Sequence, residues 1–290
     1  MQPTARSTGP ARRRRRFRAA AEGVRRRPPT PPARRGDPEL LALSAEPYAD
    51  AAEAHDRLRA LCTAFEVRGD RRAAFLSVYV RMTGAVAARI RRGAFEDPEW
   101  VHDYLVAFAN LYRVAVHDYE SGNVASLADP WLLAFDAAER GDSLVLQDTA
   151  LGVNAHINYD LSLAVAAVGV DPDRATKRAD HRAVTDVIRD VVDETQDALA
   201  ARDAAGLRAL DESFGPFDER FLVFTIDECR DSAWRTAVAL RSRSRVRRRL
   251  ARWTNAVTST GAAHLIRSSR ANDRLHESLR TLERTAGEER

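Results

Sequence analysis

The sequence predicts an all-α protein: a single multi-helix bundle of about eight or nine helices, residues 37–290, behind a disordered Arg/Pro-rich tail, residues 1–36. Three observations predict it. From Ser44 onward apolar residues recur at three- and four-residue intervals, with glycine and proline confined to the breaks. No alternating strand pattern of useful length and no internal repeat interrupts that period. A chain of 290 residues, 44% of them hydrophobic, also carries enough apolar surface for one large core.

The tail is set apart by charge. It holds 12 arginines against Glu22, so the remaining residues carry 34 basic and 41 acidic groups and form a mildly acidic body. The run Arg12 to Arg16 and the Pro-Pro-Thr-Pro-Pro stretch at Pro28 to Pro32 predict a solvated, locally polyproline II segment. Contact with nucleic acid or an anionic membrane through this tail is the lesser reading.

The helices follow in order. Leu58, Leu61 and Phe65 mark one over about Pro47 to Val67, and Phe75, Val78, Val80, Met82, Val86 and Ile90 the next, Arg71 to Arg91, with Asp70 as its cap. Asp97-Pro98 opens a helix to Glu120, because aspartate accepts free amides and proline has none to orphan. Asp129-Pro130 repeats the device through Arg140, and Gly141 stops it. Leu144 to Gly169 is apolar all round in its second half and should be central and buried. Further helices are read over Asp180 to Arg202, Phe217 to Leu240, around Val246 to Val257, and from Arg270.

Several function classes drop out. There is no GxxxxGK[ST], GxGxxG after a strand, GxSxG or HExxH, which sets aside P-loop, Rossmann, α/β-hydrolase and zincin chemistry. No stretch of the start reads as a secretory signal and no segment as a membrane span. Two distant cysteines, Cys62 and Cys229, offer no disulfide framework and suit a reducing, cytoplasmic setting.

The densest polar group in apolar sequence is Asn154-Ala-His156-Ile-Asn158-Tyr159-Asp160-Leu161. His156 and Asp160 are four apart and share a helix face, and so do Asn154 and Asn158. Asp103, Asn110 and His117 recur at intervals of seven on the helix from Pro98, a polar seam that could face them. The expected centre is therefore His156, Asp160 and Asp103 as catalytic groups, with Asn154 and Asn158 orienting them and Asn110 and Tyr159 in support. A metal would be held by His156, Asp160 and His117, and Zn, Fe or Mn is the divalent ion such donors would take. This predicts a metal-dependent or acid/base enzyme, hydrolase-like, acting on a small molecule. The alternative is a non-catalytic scaffold or binding module in which the same groups satisfy one another.

Three other features carry chemistry. His-Asp occurs at His55-Asp56, His102-Asp103 and His117-Asp118, a pair that helical phosphohydrolases of the HD superfamily use to bind metal. Arg230, four residues before Trp234, would contact an anionic ligand if it pointed inward. Arg241, Arg245, Arg248, Arg249 and Arg252 flank an apolar stripe at Val246, Leu250, Trp253 and Val257. That pattern suits lipid or nucleic acid, but a core helix with its arginines over the acidic body is the favoured reading.

Gly93-Ala-Phe95-Glu-Asp97-Pro98-Glu-Trp100, Phe108-Ala109-Asn110-x-Tyr112, Pro130-Trp131-x-x-Ala134-Phe135, the Leu151 to Leu161 string and Arg230-x-x-Ala233-Trp234 together resemble a helical domain family of unknown function, over about Phe75 to Leu240. The resemblance implies a shared helical fold and brings no reaction with it.

Overall fold

A computed structural model describes residues 9–26, 36–202 and 226–268. The helices are α1 (Gly9–Arg25), α2 (Pro38–Ala45), α3 (Ala51–Val67), α4 (Ala73–Arg91), α5 (Pro98–Glu120), α6 (Asp129–Arg140), α7 (Val145–Val153), a π-helical segment (Asn154–Asp160), α8 (Leu161–Val168), α9 (Arg174–Arg202), α10 (Ile226–Leu240) and α11 (Arg245–Ser268). No strand occurs among the described residues. The fold is all-α, and with α7, the π segment and α8 counted as one continuous rod there are ten helices among the described residues. The expected helix from Arg270, the start of the one from Phe217 and the proline stretch lie outside them.

Local chemistry sets the ends. Asp97 accepts the amide of Trp100 at 3.0 Å and Asp37 those of Glu39 and Leu40 at 2.8 and 3.2 Å. Gly141, at φ 60°, closes α6 in the left-handed conformation that costs a glycine nothing. Asp129 departs from expectation: Ala128 is the N-cap residue of α6 and no side chain caps it.

The continuous rod is the axis of the bundle. The π segment touches α5, α6, α10 and α11, while α8 lies between α5 and α10 and α7 runs against α4, α6 and α11. Leu151, Ala155, Leu161 and Val165 are fully buried in it, as all-round apolarity implies. α4 is long and apolar enough to cross a membrane by length and composition; here Phe75, Leu76, Tyr79 and Val86 are core residues.

Two expectations change. Within the segment read as a disordered tail, residues 9–25 form helix α1, with Ala19 fully buried against α11. A Cβ added to Gly261 would stand 1.6 Å from the Ala19 carbonyl oxygen, and one on Gly23 2.0 Å from that of Val257. The two backbones therefore pack antiparallel in direct contact. Arginine, a good helix former, and the Ala19-Ala20-Ala21 run outweigh charge repulsion once this groove is filled.

The second change concerns α11. Val246, Leu250 and Trp253 are 76%, 58% and 56% exposed, so the apolar stripe does not enter the core. The first half of α11 projects past its neighbours, and the helix is buried only from about Asn255 onward.

Candidate functional site: a buried histidine in an apolar cavity

The polar string predicted from sequence coincides with the π segment. Leu161 N–H bonds the His156 carbonyl, five residues back, and so widens the helix by one residue. Such a turn exposes backbone groups that need holding. Asn255 donates to the Tyr159 carbonyl at 3.0 Å, Asn154 donates to the Ser259 carbonyl at 2.9 Å, and Asn158 donates to Asn154 Oδ1 at 3.0 Å. Asn154, Asn158 and Tyr159 thus dock the segment on α11 and do not orient the histidine, which corrects their expected role.

His156 is buried on the opposite side. Its Nδ1 lies 3.1 Å from Asp160 Oδ2, and the same oxygen accepts the Trp131 indole N–H at 2.8 Å. An indole can only donate, so a carboxylate that also takes the Nδ1 proton satisfies all three groups and leaves the lone pair on Nε2. Burial holds the imidazole below its ordinary 6.5, against the pull of Asp160, and raises Asp160 above 3.8 against its two donors. The imidazole is neutral at pH 7.

Aromatic rings fix its plane. His156 stacks on Phe108 and meets the Tyr79 ring edge-on at a centroid distance of 4.3 Å. Phe75 completes the wall because Gly152 lets α7 approach α4: a Cβ there would fall 2.4 Å from Phe75 Cγ. Among the described residues Nε2 has no hydrogen-bond partner.

The same histidine lines a cavity of about 60 Å³ between α4, α5, the π segment, α9 and α10. Val86, Val184 and Ile188 furnish its apolar wall, and Val78, Met82 and Ile226 are its half-buried members. Its polar groups among the described residues are His156, Tyr79, Tyr104, Thr83 and Arg230. Arg230, expected as an anion contact, is 2% exposed and does point inward.

The rest of the expected centre is elsewhere. Asp103 stands at the surface, its side chain 70% exposed and beside His102. Asn110 accepts the Tyr48 amide at 2.9 Å and donates to its carbonyl at 3.0 Å, clamping the start of α3 to α5. His117 Nδ1 meets Ser44 Oγ at 3.3 Å under α2. Asn110 and His117 do share one seam, but it faces α2 and the α2–α3 link, not the central rod, and Asp103 faces solvent. The three His-Asp pairs are likewise scattered. Among the described residues no group of three or more His, Cys, Asp or Glu side chains could hold a metal ion, so the expected set of His156, Asp160 and His117 is not assembled.

Tyr79, Thr83 and Phe108 were missed by sequence reasoning. The available signal was a pair of hydroxyls, Tyr79 and Thr83, one turn apart on an otherwise apolar stripe.

The model of a family of unknown function, DUF5995, matches residues 51–269, three quarters of the chain. The chain belongs to that family. The match contains every residue of the cavity and extends beyond the Phe75 to Leu240 stretch that the resemblance covered, whereas α1 and α2 lie outside it. No curated protein and no solved structure matches the chain.

Proposed function

We propose that this DUF5995 protein is an acid/base enzyme acting on a small, largely apolar molecule, with His156 Nε2 as the proton acceptor. The observation that carries this reading is the lone pair of a neutral, immobilised imidazole beside an apolar cavity, with no group among the described residues bonded to it. A buried nitrogen left unpaired costs about 1–3 kcal/mol, which a bound donor would recover. Asp160 is a positioning residue, holding the tautomer while Trp131 steadies the carboxylate.

Hydrolysis is the reaction class that asks least of the site. Water yields a proton to Nε2 as its oxygen bonds to the acyl carbon, and the leaving alkoxide takes that proton back. General base catalysis of this kind contributes about 10²- to 10⁴-fold. The two buried thiols, Cys62 and Cys229, support a cytoplasmic setting.

The test is hydrolysis of p-nitrophenyl butyrate by the full chain and by His156→Gln, with circular dichroism as the check on folding. A fall in kcat of at least 100-fold in a folded variant supports the reading. Unchanged turnover, or no turnover above buffer in the parent, overturns hydrolysis by His156.

A further inference from the structure

We infer that the cavity takes a carboxylate-bearing amphiphile, its head paired with Arg230 and its apolar body laid along Val78, Met82 and Val86. The inference deepens the reading above, since it rests on the same cavity, but it does not require His156 to act as a base.

The other buried arginines among the described residues are each compensated, Arg72 by carboxylates and Arg113 by a helix end. Arg72, 4% exposed, lies between two carboxylates, with Asp70 Oδ2 at 2.5 Å and Glu120 Oε1 at 2.7 Å. Arg113, 9% exposed, donates to the Ser44 and Ala45 carbonyls at 2.7 and 2.9 Å. Those carbonyls end α2, where the helix dipole is negative.

Among the described residues Arg230 has neither kind of compensation. Its Nε donates to Thr185 Oγ1 at 2.8 Å and its Nη2 to the His181 carbonyl at 2.9 Å. The Tyr104 hydroxyl is its other polar neighbour. The His181 carbonyl belongs to the body of α9, not to its end, and among the described residues no carboxylate pairs with the guanidinium.

The surroundings add positive potential. Burial first, then the charge of Arg230 and, behind it, those of Arg178 and Arg182 drive the His181 imidazole well below 6.5, so His181 brings no charge of its own. The nearby acids on α10 are engaged elsewhere: Asp227 with Arg189 at 2.5 Å, Glu228 with Arg15 at 3.5 Å and Asp231 with Arg178 at 3.9 Å. A buried cation held only by neutral acceptors is costly unless an anion completes it. The planar guanidinium fits a carboxylate through paired hydrogen bonds, and apart from the neutral His156 imidazole the rest of the wall is apolar or hydroxylic.

The ligand class then follows from the two poles. Arg230 takes the anionic head, the aliphatic wall takes a short chain or ring, and a hydroxyl or bound water on the ligand can donate to His156 Nε2.

Isothermal titration calorimetry of the full chain with straight-chain carboxylates from butanoate to octanoate, each against the alcohol of equal length, tests this. The acids should bind at least tenfold more tightly than the alcohols. Arg230→Gln should erase that preference. Equal binding of acid and alcohol, or no binding of either, overturns the proposal. If Arg230→Gln does not fold, Arg230→Lys decides: it keeps the charge but loses the fork, so the preference should shrink at least threefold, and an unaltered preference counts against the assignment. An acid preference with esterase activity indifferent to His156 would instead sink the base reading alone.

Discussion

The imidazole of His156 lies flat on the ring of Phe108, with centroids 3.6 Å apart and planes 9° from parallel. With Asp160 bonded at Nδ1, the ring is fixed both in plane and in rotation about its own axis, as a proton acceptor requires.

Removing the platform should therefore unsettle both stability and chemistry. Phe108→Ala is expected to cost about 3–5 kcal/mol, the usual range for a buried aromatic. Phe108→Leu, which keeps most of the volume, should cost less while still freeing the imidazole. Urea unfolding gives the first quantity, and broadened His156 ring signals in ¹⁵N-edited NMR of the leucine variant would report the second.

Trp131→Phe should isolate the worth of one donor. The ring volume is nearly kept, but the buried Asp160 carboxylate loses one of its donors, at an expected cost of about 1–3 kcal/mol. The Asp160 carboxyl should then titrate higher than in the parent. A carbon-detected carboxyl titration checks this, and no upward shift would mean that Trp131 does not support the carboxylate.

Acid should destabilise the fold through its histidines. Burial lowers the pKa of His156, His181 and His264 from 6.5. For a group depressed in the folded state, the unfolded chain binds more protons below 6.5, so stability is lost as pH falls from there. Asp160 works with the opposite sign: its raised pKa gives stability that is lost as pH rises above 3.8 towards the folded value. His181→Gln should flatten the fall in thermal midpoint between about pH 6.5 and 5 relative to the parent. An identical slope would show that His181 does not carry it.

The Arg72–Glu120 pair is a stability device remote from the cavity. Both side chains are buried, and Glu120 Oε2 also accepts the Asp37 amide at 3.1 Å. Glu120→Gln strands part of a buried cation and should cost about 3–5 kcal/mol, with ligand binding in the cavity unchanged in protein that remains folded.

What was legible in the sequence was whatever local chemistry decides. Asp97-Pro98 opens α5, Gly141 closes α6, and the run Leu161 to Val168 marks a buried rod, because caps, left-handed turns and apolar periodicity act within a few residues. The His156–Asp160 pair was legible for the same reason, since four-residue spacing keeps two side chains together. The π turn was not, because it is held by Asn255 and Ser259, about a hundred positions away. Nor was the direction of the Asp103, Asn110 and His117 seam. Its regular spacing showed one face of α5, but which neighbour occupies that face depends on how α2 and α3 return across it. The stripe at Val246, Leu250 and Trp253 misled for a related reason: amphipathic periodicity declares a side fit for burial without stating that anything buries it.

The backbone contact between Ala19 and Gly261 bears on how the chain can be shortened. Cutting to the span that the family model matches, 51–269, would discard α1 together with α2 and bare the trough beside Gly261, where a neighbouring molecule could nest in place of α1. Such a trimmed product should self-associate on gel filtration, and a bulky residue at Gly261 in the intact chain should mimic the cut by prising the first helix off.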